Sequence, residues 1–153
     1  LSNDYTPEIT VLFSIHHRAQ NRIRSQKNFA AHNFLFTWAE QQITERLTLI
    51  KREFSNIAII GRCSDGLLAS FSPAHITHIA IDNEHDEVKL EPTSQDLIIS
   101  ILDLHSINDL PGVLIQIRRS LKPDGVFIGC LSGGGTLYEL RDVFYKTEME
   151  MND

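Results

Sequence analysis

Residues Asp96 to Leu140 read, in order, as a buried strand, a polar loop, an amphipathic helix, a Lys-Pro-Asp-Gly turn and a second buried strand. No other stretch constrains the fold as much. Leu97 to Leu102, broken only by Ser100, and Val126 to Leu131 are uncharged, largely apolar runs, the mark of strands covered on both faces. A helix between two such strands makes them parallel members of one sheet, joined by a right-handed crossover.

The pattern repeats upstream. Ile57 to Ile60 is a short apolar run closed by Gly61. Asp65 to Phe71 leaves room for a short helix, and Ile76 to Ile81 predicts a second strand with Asp82 at its end. Asn83 to Ser94 is polar and holds at most the short strand Val88-Lys89-Leu90. Leu110 to Leu121 predicts a helix with Leu114, Ile117 and Leu121 inward; Arg118, Arg119 and Lys122 suit the negative end of its dipole. Pro123-Asp124-Gly125 predicts a turn, Ser132 to Gly135 a glycine loop, and Thr136 the cap of a last helix reaching about Tyr145. Two helices are predicted before the first strand. Glu8 to Arg24 is loosely amphipathic, and Asn28 to Phe54 carries an apolar stripe through Leu35, Trp38, Ala39, Ile43, Leu47, Ile50 and Phe54. The expected fold is α/β, a shortened Rossmann-like parallel sheet over residues 55–153 with an N-terminal helical extension over 1–54.

Composition narrows the function. The 153 residues fit one domain, and a net charge of -6 lacks the basic footprint of a nucleic-acid binder. Arg18, Arg22, Arg24 and Lys27 cluster locally, either as a solvated helix face or as a lip for an anionic ligand or partner. Cys63 and Cys130 are too few and too far apart for a metal site, and the histidines show no ligand spacing. Unpaired cysteines, no apolar run long enough to span a bilayer and no leader-like opening make cytoplasmic placement the expectation.

In a parallel α/β sheet, ligands bind at the C-terminal ends of the strands, where strand order reverses. The candidate site is therefore Gly61 to Asp65, Asp82 and Asn83, Ser100 to His105, and Ser132 to Gly134. Gly61 permits a sharp turn beside a ligand, and Asp82 lies about twenty residues on, the distance at which a carboxylate grips ribose hydroxyls. Equally, Gly61 could serve only the turn and Asp82 only a loop; the spacing leaves both open. His105, just past the Leu97 strand, is either a polar group able to orient a substrate or accept a proton, or a hydrogen-bonded loop histidine.

Asp96 to Leu140, with Thr147-Glu148, resembles the class I S-adenosylmethionine-dependent methyltransferases. Within them it is most similar to the branch holding the mitochondrial complex I assembly methyltransferase-like proteins and the biotin-pathway carboxyl methyltransferases. Asp96 to Ser100, Leu104-His105, Asn108 to Pro111 and Leu121 to Phe127 carry the likeness, and Gly133 to Arg141 points to the assembly-factor branch. The resemblance implies S-adenosylmethionine as cofactor, with Gly61, Arg62, Cys63, Asp82, Asn83, Ser100, Ile101 and Leu102 around it and His105 as the catalytic candidate.

The chain departs from the family's pattern in three places. The first motif, an acidic residue and then Gly-x-Gly-x-Gly, reads Ile59-Ile60-Gly61-Arg62-Cys63-Ser64-Asp65-Gly66, so only Gly61 stays in register. Ile59 removes a partner for the cofactor's amino group. Only about fourteen residues separate Asp82 from Leu97, too few for the family's further helix and strand. The antiparallel strands that usually cover the last edge do not follow within these residues, as expected of either a fragment or a reduced protein. These departures imply a methyltransferase-like protein with weakened or lost activity; the alternative is a non-catalytic assembly or interaction protein on the same fold. An apolar Val126 to Leu131 edge also predicts a homodimer or a protein partner covering it.

Overall fold

The computed structural model describes residues 11–71, 73–81 and 86–151. Four strands form one parallel sheet: β1 (Asn56–Gly61), β2 (His75–Ile79), β3 (Gln95–Ile101) and β4 (Leu121–Cys130), in the order β2-β1-β3-β4. Six α-helices accompany them: α1 (Ile15–Gln26), α2 (Phe29–His32), α3 (Phe34–Thr48), α4 (Asp65–Ala69), α5 (Leu110–Ser120) and α6 (Tyr138–Met151). The expected shortened Rossmann-like architecture and its N-terminal helical region are both present.

Alternation along the strands sorts the core into two layers. Ile57, Ile59, Leu97, Ile99 and Ile101 pack with Ala39, Ile43 and Leu47 of α3 and Leu67 of α4. Ala58, Ile60 and Ile98 face the other way, onto Val113 and Ile117 of α5. Ile57 to Ile60 and Leu97 to Ile99 are wholly buried, which explains the continuous apolar runs.

Several local expectations need correction. The predicted helix over Asn28 to Phe54 is two helices that meet at Asn33, and the second ends at Thr48. Its buried stripe is Ala39, Ile43 and Leu47, whereas Leu35 and Trp38 are 45% and 53% exposed. Small Ala39 lets α3 sit close on the sheet, and this rotates the larger side chains outward. In α5 the inward residues are Val113, Ile117 and Ser120, and Leu114 faces out. The proposed strand at Val88-Lys89-Leu90 is irregular chain. Val88 nevertheless packs into the α5 layer, and its N–H donates to Gln116 Oε1 at 2.8 Å.

The Lys-Pro-Asp-Gly segment does not end one element and begin another. It is a bulge within β4: Gln95 pairs with Leu121, and the register resumes at Leu97 opposite Val126. Gly125 is needed there, because a Cβ would come within 2.9 Å of Leu121 Cδ2 and 3.0 Å of the Gln95 carbonyl. The last helix starts at Tyr138 rather than Thr136, and Leu140, Val143 and Phe144 on it are exposed.

At the opposite end of the sheet from the strand C-termini, Asp96 ties the strands together. One carboxylate oxygen accepts from the backbone N–H groups of Ser55 (3.2 Å) and Asn56 (2.9 Å). The other accepts from Lys122 Nζ (2.9 Å) and Arg52 Nη2 (3.2 Å).

Candidate functional site

β1 is flanked by β2 on one side and β3 on the other, so the first crossover leaves β1 toward β2 and the next carries the chain back past it to β3. That is the switch point at which a parallel sheet opens a crevice. A cleft of about 790 Å³ lies there, lined by Gly61, Arg62, Ile79, Ala80, Ile101, Leu102, Asp103 and His105 from the strand ends. α1 forms its roof with His17, Arg18, Asn21, Arg22 and Ser25. A second cavity, of about 480 Å³, opens between α3, α4 and the Arg52 to Ser55 segment, at the N-terminal end of β1. Neither the ends of the strands nor the glycine turn reaches it, so the larger cleft is the candidate site.

Gly61 adopts φ +91°, a left-handed backbone that L side chains rarely hold. A Cβ there would lie 3.0 Å from Asp103 Cβ and 3.2 Å from the Ile101 carbonyl oxygen. The turn therefore brings β1 and the end of β3 into contact. Leu102 is itself left-handed (φ 49°) and is held by its N–H bond to the Cys130 carbonyl at 2.8 Å. A strained non-glycine residue at a strand end beside a cleft is what functional sites commonly retain.

The roof is held chiefly by charge. Arg18 Nη1 pairs with Asp86 Oδ1 at 3.0 Å, both side chains being buried. Asp86 Oδ2 accepts the N–H groups of Asn108 and Asp109, each at 2.9 Å. Arg22 Nη2 pairs with Asp103 Oδ1 at 2.5 Å. Arg62 reaches up from the end of β1 and donates to the Arg22 carbonyl (3.1 Å) and Ser25 Oγ (3.2 Å), with its guanidinium over the Phe29 ring at 4.7 Å. Asn108 Oδ1 fixes the approach to α1 by accepting the N–H groups of Leu12 and Phe13.

Of the residues singled out from sequence, Gly61, Arg62, Ile101, Leu102 and His105 meet at this cleft. Asp82 and Asn83 lie outside the described residues. Ser100 is wholly buried one position short of the cleft, and Cys63 packs in the α3 layer. Burial, with Glu40 and Asp65 nearby, pushes the Cys63 thiol up to about 11, so it stays protonated and poorly nucleophilic at neutral pH. Ser132 to Gly134 are exposed and do not line the cleft. Asp103 lies within the Ser100 to His105 range that the strand-end rule marks, but nothing in the sequence assigns it a role. Its signal is a carboxylate two residues past the end of β3.

Residues 61–129 match the family model described as "Methyltransferase domain". The human protein named "Arginine-hydroxylase NDUFAF5, mitochondrial" is 32% identical to 83% of this chain, which spans 45% of that protein. Its zebrafish (Danio rerio) counterpart of the same name is 60% identical over 36% of this chain and 17% of its own length. A "Putative methyltransferase" of Rickettsia prowazekii is 41% identical over 60% of this chain and 38% of its own. The chain thus spans less than half the length of the human relative. These matches support a methyltransferase-like protein and do not favour the non-catalytic alternative. Together with the parallel sheet and its glycine turn, they support the class I S-adenosylmethionine-dependent methyltransferase family for this chain.

Proposed function

We propose that the cleft over Gly61 binds S-adenosylmethionine and that the chain contributes to methyl transfer from it. One observation carries this reading: Gly61, the ends of β2 and β3, and Asp103 converge on one cleft at the switch point. The residues present fit the group. A cleft of about 790 Å³ has the capacity of a small-molecule site. The space a Cβ would fill at Gly61 is kept open, and Asp103 Oδ2 is buried without a partner among the described residues.

In that arrangement Gly61 lets the ligand approach the backbone, while Ile79, Ala80, Ile101 and Leu102 form an apolar wall that excludes water. When bound, the cofactor supplies an already activated methyl group on a sulfonium, so positioning and desolvation carry much of the rate. His105 stands exposed at the rim and is placed to take a proton from an incoming substrate.

A second reading draws on the relatives named arginine hydroxylases. This cleft already holds a guanidinium, that of Arg22 against Asp103, so an arginine side chain is a plausible class of substrate. Calorimetric titration with S-adenosylhomocysteine tests the cofactor, and incubation with an arginine peptide and S-adenosylmethionine tests the chemistry. Binding together with a mass gain of one methylene supports methyl transfer. A gain of one oxygen in a parallel incubation supplied with dioxygen and a two-electron reductant, the second oxygen atom leaving as water, supports the second reading, and no heat at millimolar ligand sinks the cofactor assignment.

We also propose that a second copy of the chain covers the β4 edge, which has β3 as its neighbour on one side only. α6 separately exposes Leu140, Val143 and Phe144, apolar side chains that a second copy could also cover. A dimer mass by light scattering is the expected result, and a clean monomer at micromolar concentration overturns it. Placement in a reducing compartment fits the two free cysteines.

A further inference from the structure

We propose that Arg18 and Asp103 together grip the zwitterionic amino-acid end of the cofactor, in place of the acidic residue and glycines that the Ile59 to Gly66 segment lacks. This rests on the cofactor reading above.

α1 buries a single residue, and that residue is Arg18. Its side chain is 7% exposed, and the Asp86 pair uses only Nη1. Nη2 is buried with no hydrogen-bond partner among the described residues. A buried guanidinium N–H left unmade is costly, so such groups ordinarily have an acceptor. Arg18 also lines the cleft, where a ligand carboxylate can supply that acceptor.

The complementary group lines the same cleft. Arg22 is four residues on from Arg18 and so lies on the same face of α1. It holds Asp103 Oδ1 and leaves Oδ2 buried and unpartnered among the described residues. An unused acceptor and an unused donor on residues lining one cleft match the α-ammonium and α-carboxylate of one ligand. Asp103 also touches the Gly61 turn, since a Cβ on Gly61 would come 3.0 Å from its own Cβ. Ile59, where the family pattern wants a carboxylate, is wholly buried against the α3 layer and offers none. Asp103 brings a carboxylate to the neighbouring strand end.

Both groups are pre-oriented. Asp86 is fixed by two backbone N–H bonds and in turn fixes Arg18. Arg22, clamped through its carbonyl by Arg62, fixes Asp103. Little side-chain freedom is left to lose when a ligand arrives.

Two probes read the amino-acid end directly. S-adenosylhomocysteine has it, and 5′-methylthioadenosine keeps the nucleoside and thioether without it. The wild-type chain should prefer the first by roughly tenfold or more. Arg18→Gln should erase that preference and leave methylthioadenosine affinity unchanged. Should the lone variant fail to fold with Asp86 unpaired, Arg18→Gln with Asp86→Asn removes both charges and reads the same ratio. A variant that keeps the preference, or weakens both probes alike, overturns the proposal and leaves the cofactor reading standing. A wild-type chain that binds neither probe fails the cofactor reading itself.

Discussion

Asp96→Ala is expected to destabilise the chain by roughly 3 kcal/mol, a large share of the stability of an ordinary domain. Asp96 is 6% exposed and accepts from two backbone N–H groups and two cations. Its removal leaves the Ser55 and Asn56 amides at the start of β1 short of an acceptor. Arg52 and Lys122 lose less, being 27% and 33% exposed and able to turn to water. Burial by itself would raise the Asp96 carboxyl. The bonds from Lys122, Asn56 and Ser55 outweigh burial and hold it at about 2, below the usual 3.8. A depressed carboxyl stabilises the fold fully above its unfolded value and loses that contribution as pH falls through the folded one. Wild-type stability should therefore drop between about pH 4 and pH 2, and Asp96→Asn should flatten that part of the curve. Urea melts across this range measure both. An Asp96→Ala midpoint equal to wild type would show that the network contributes nothing.

The strands were legible for a simple reason. Strands buried on both faces must be apolar at every position, so Ile57 to Ile60 and Leu97 to Ile99 announce themselves without neighbours. Helix faces carry less information, because a stripe of three- and four-residue steps can be rotated by one position. Thus Trp38 and Leu114 looked inward by pattern but are exposed, while Ala39 of the same stripe and Val113, next to Leu114, are buried. Lys122 to Gly125 has the composition of a turn, and only the pairing of Gln95 with Leu121 shows that β4 has already begun.

The site divides along the same line. Gly61 and His105 follow from the rule that ligands meet strand ends, which needs only the order of elements. The roof does not follow from it. Arg22 and Asp103 are 81 residues apart, and Arg18 and Asp86 are 68. Nothing local in a basic helix says which of its arginines will be buried. The cluster looked more like a solvated face than a ligand lip, and packing chose Arg18 and Arg22 and left Arg24 and Lys27 exposed.

Gly61→Val should abolish ligand binding while the chain stays folded. The site is intolerant on two separate counts. At φ +91° any L side chain is strained, by about 1–2 kcal/mol, and a β-branched one is the worst suited. The new Cβ also lands 3.2 Å from the Ile101 carbonyl and 3.0 Å from Asp103 Cβ, so β3's end must shift or Asp103 must leave its place. Either response disturbs the wall and the carboxylate at once, and the added methyl groups take space beside the turn where the ligand would approach. The two sheet faces lie away from this turn, so their packing should survive with a modest fall in melting temperature. Gly133→Ala is the matched control, since nothing lies within 4 Å of a Cβ there, and it should change neither stability nor binding. Titration with S-adenosylhomocysteine alongside thermal denaturation reads both variants. Undiminished affinity in folded Gly61→Val would place the ligand somewhere other than this cleft.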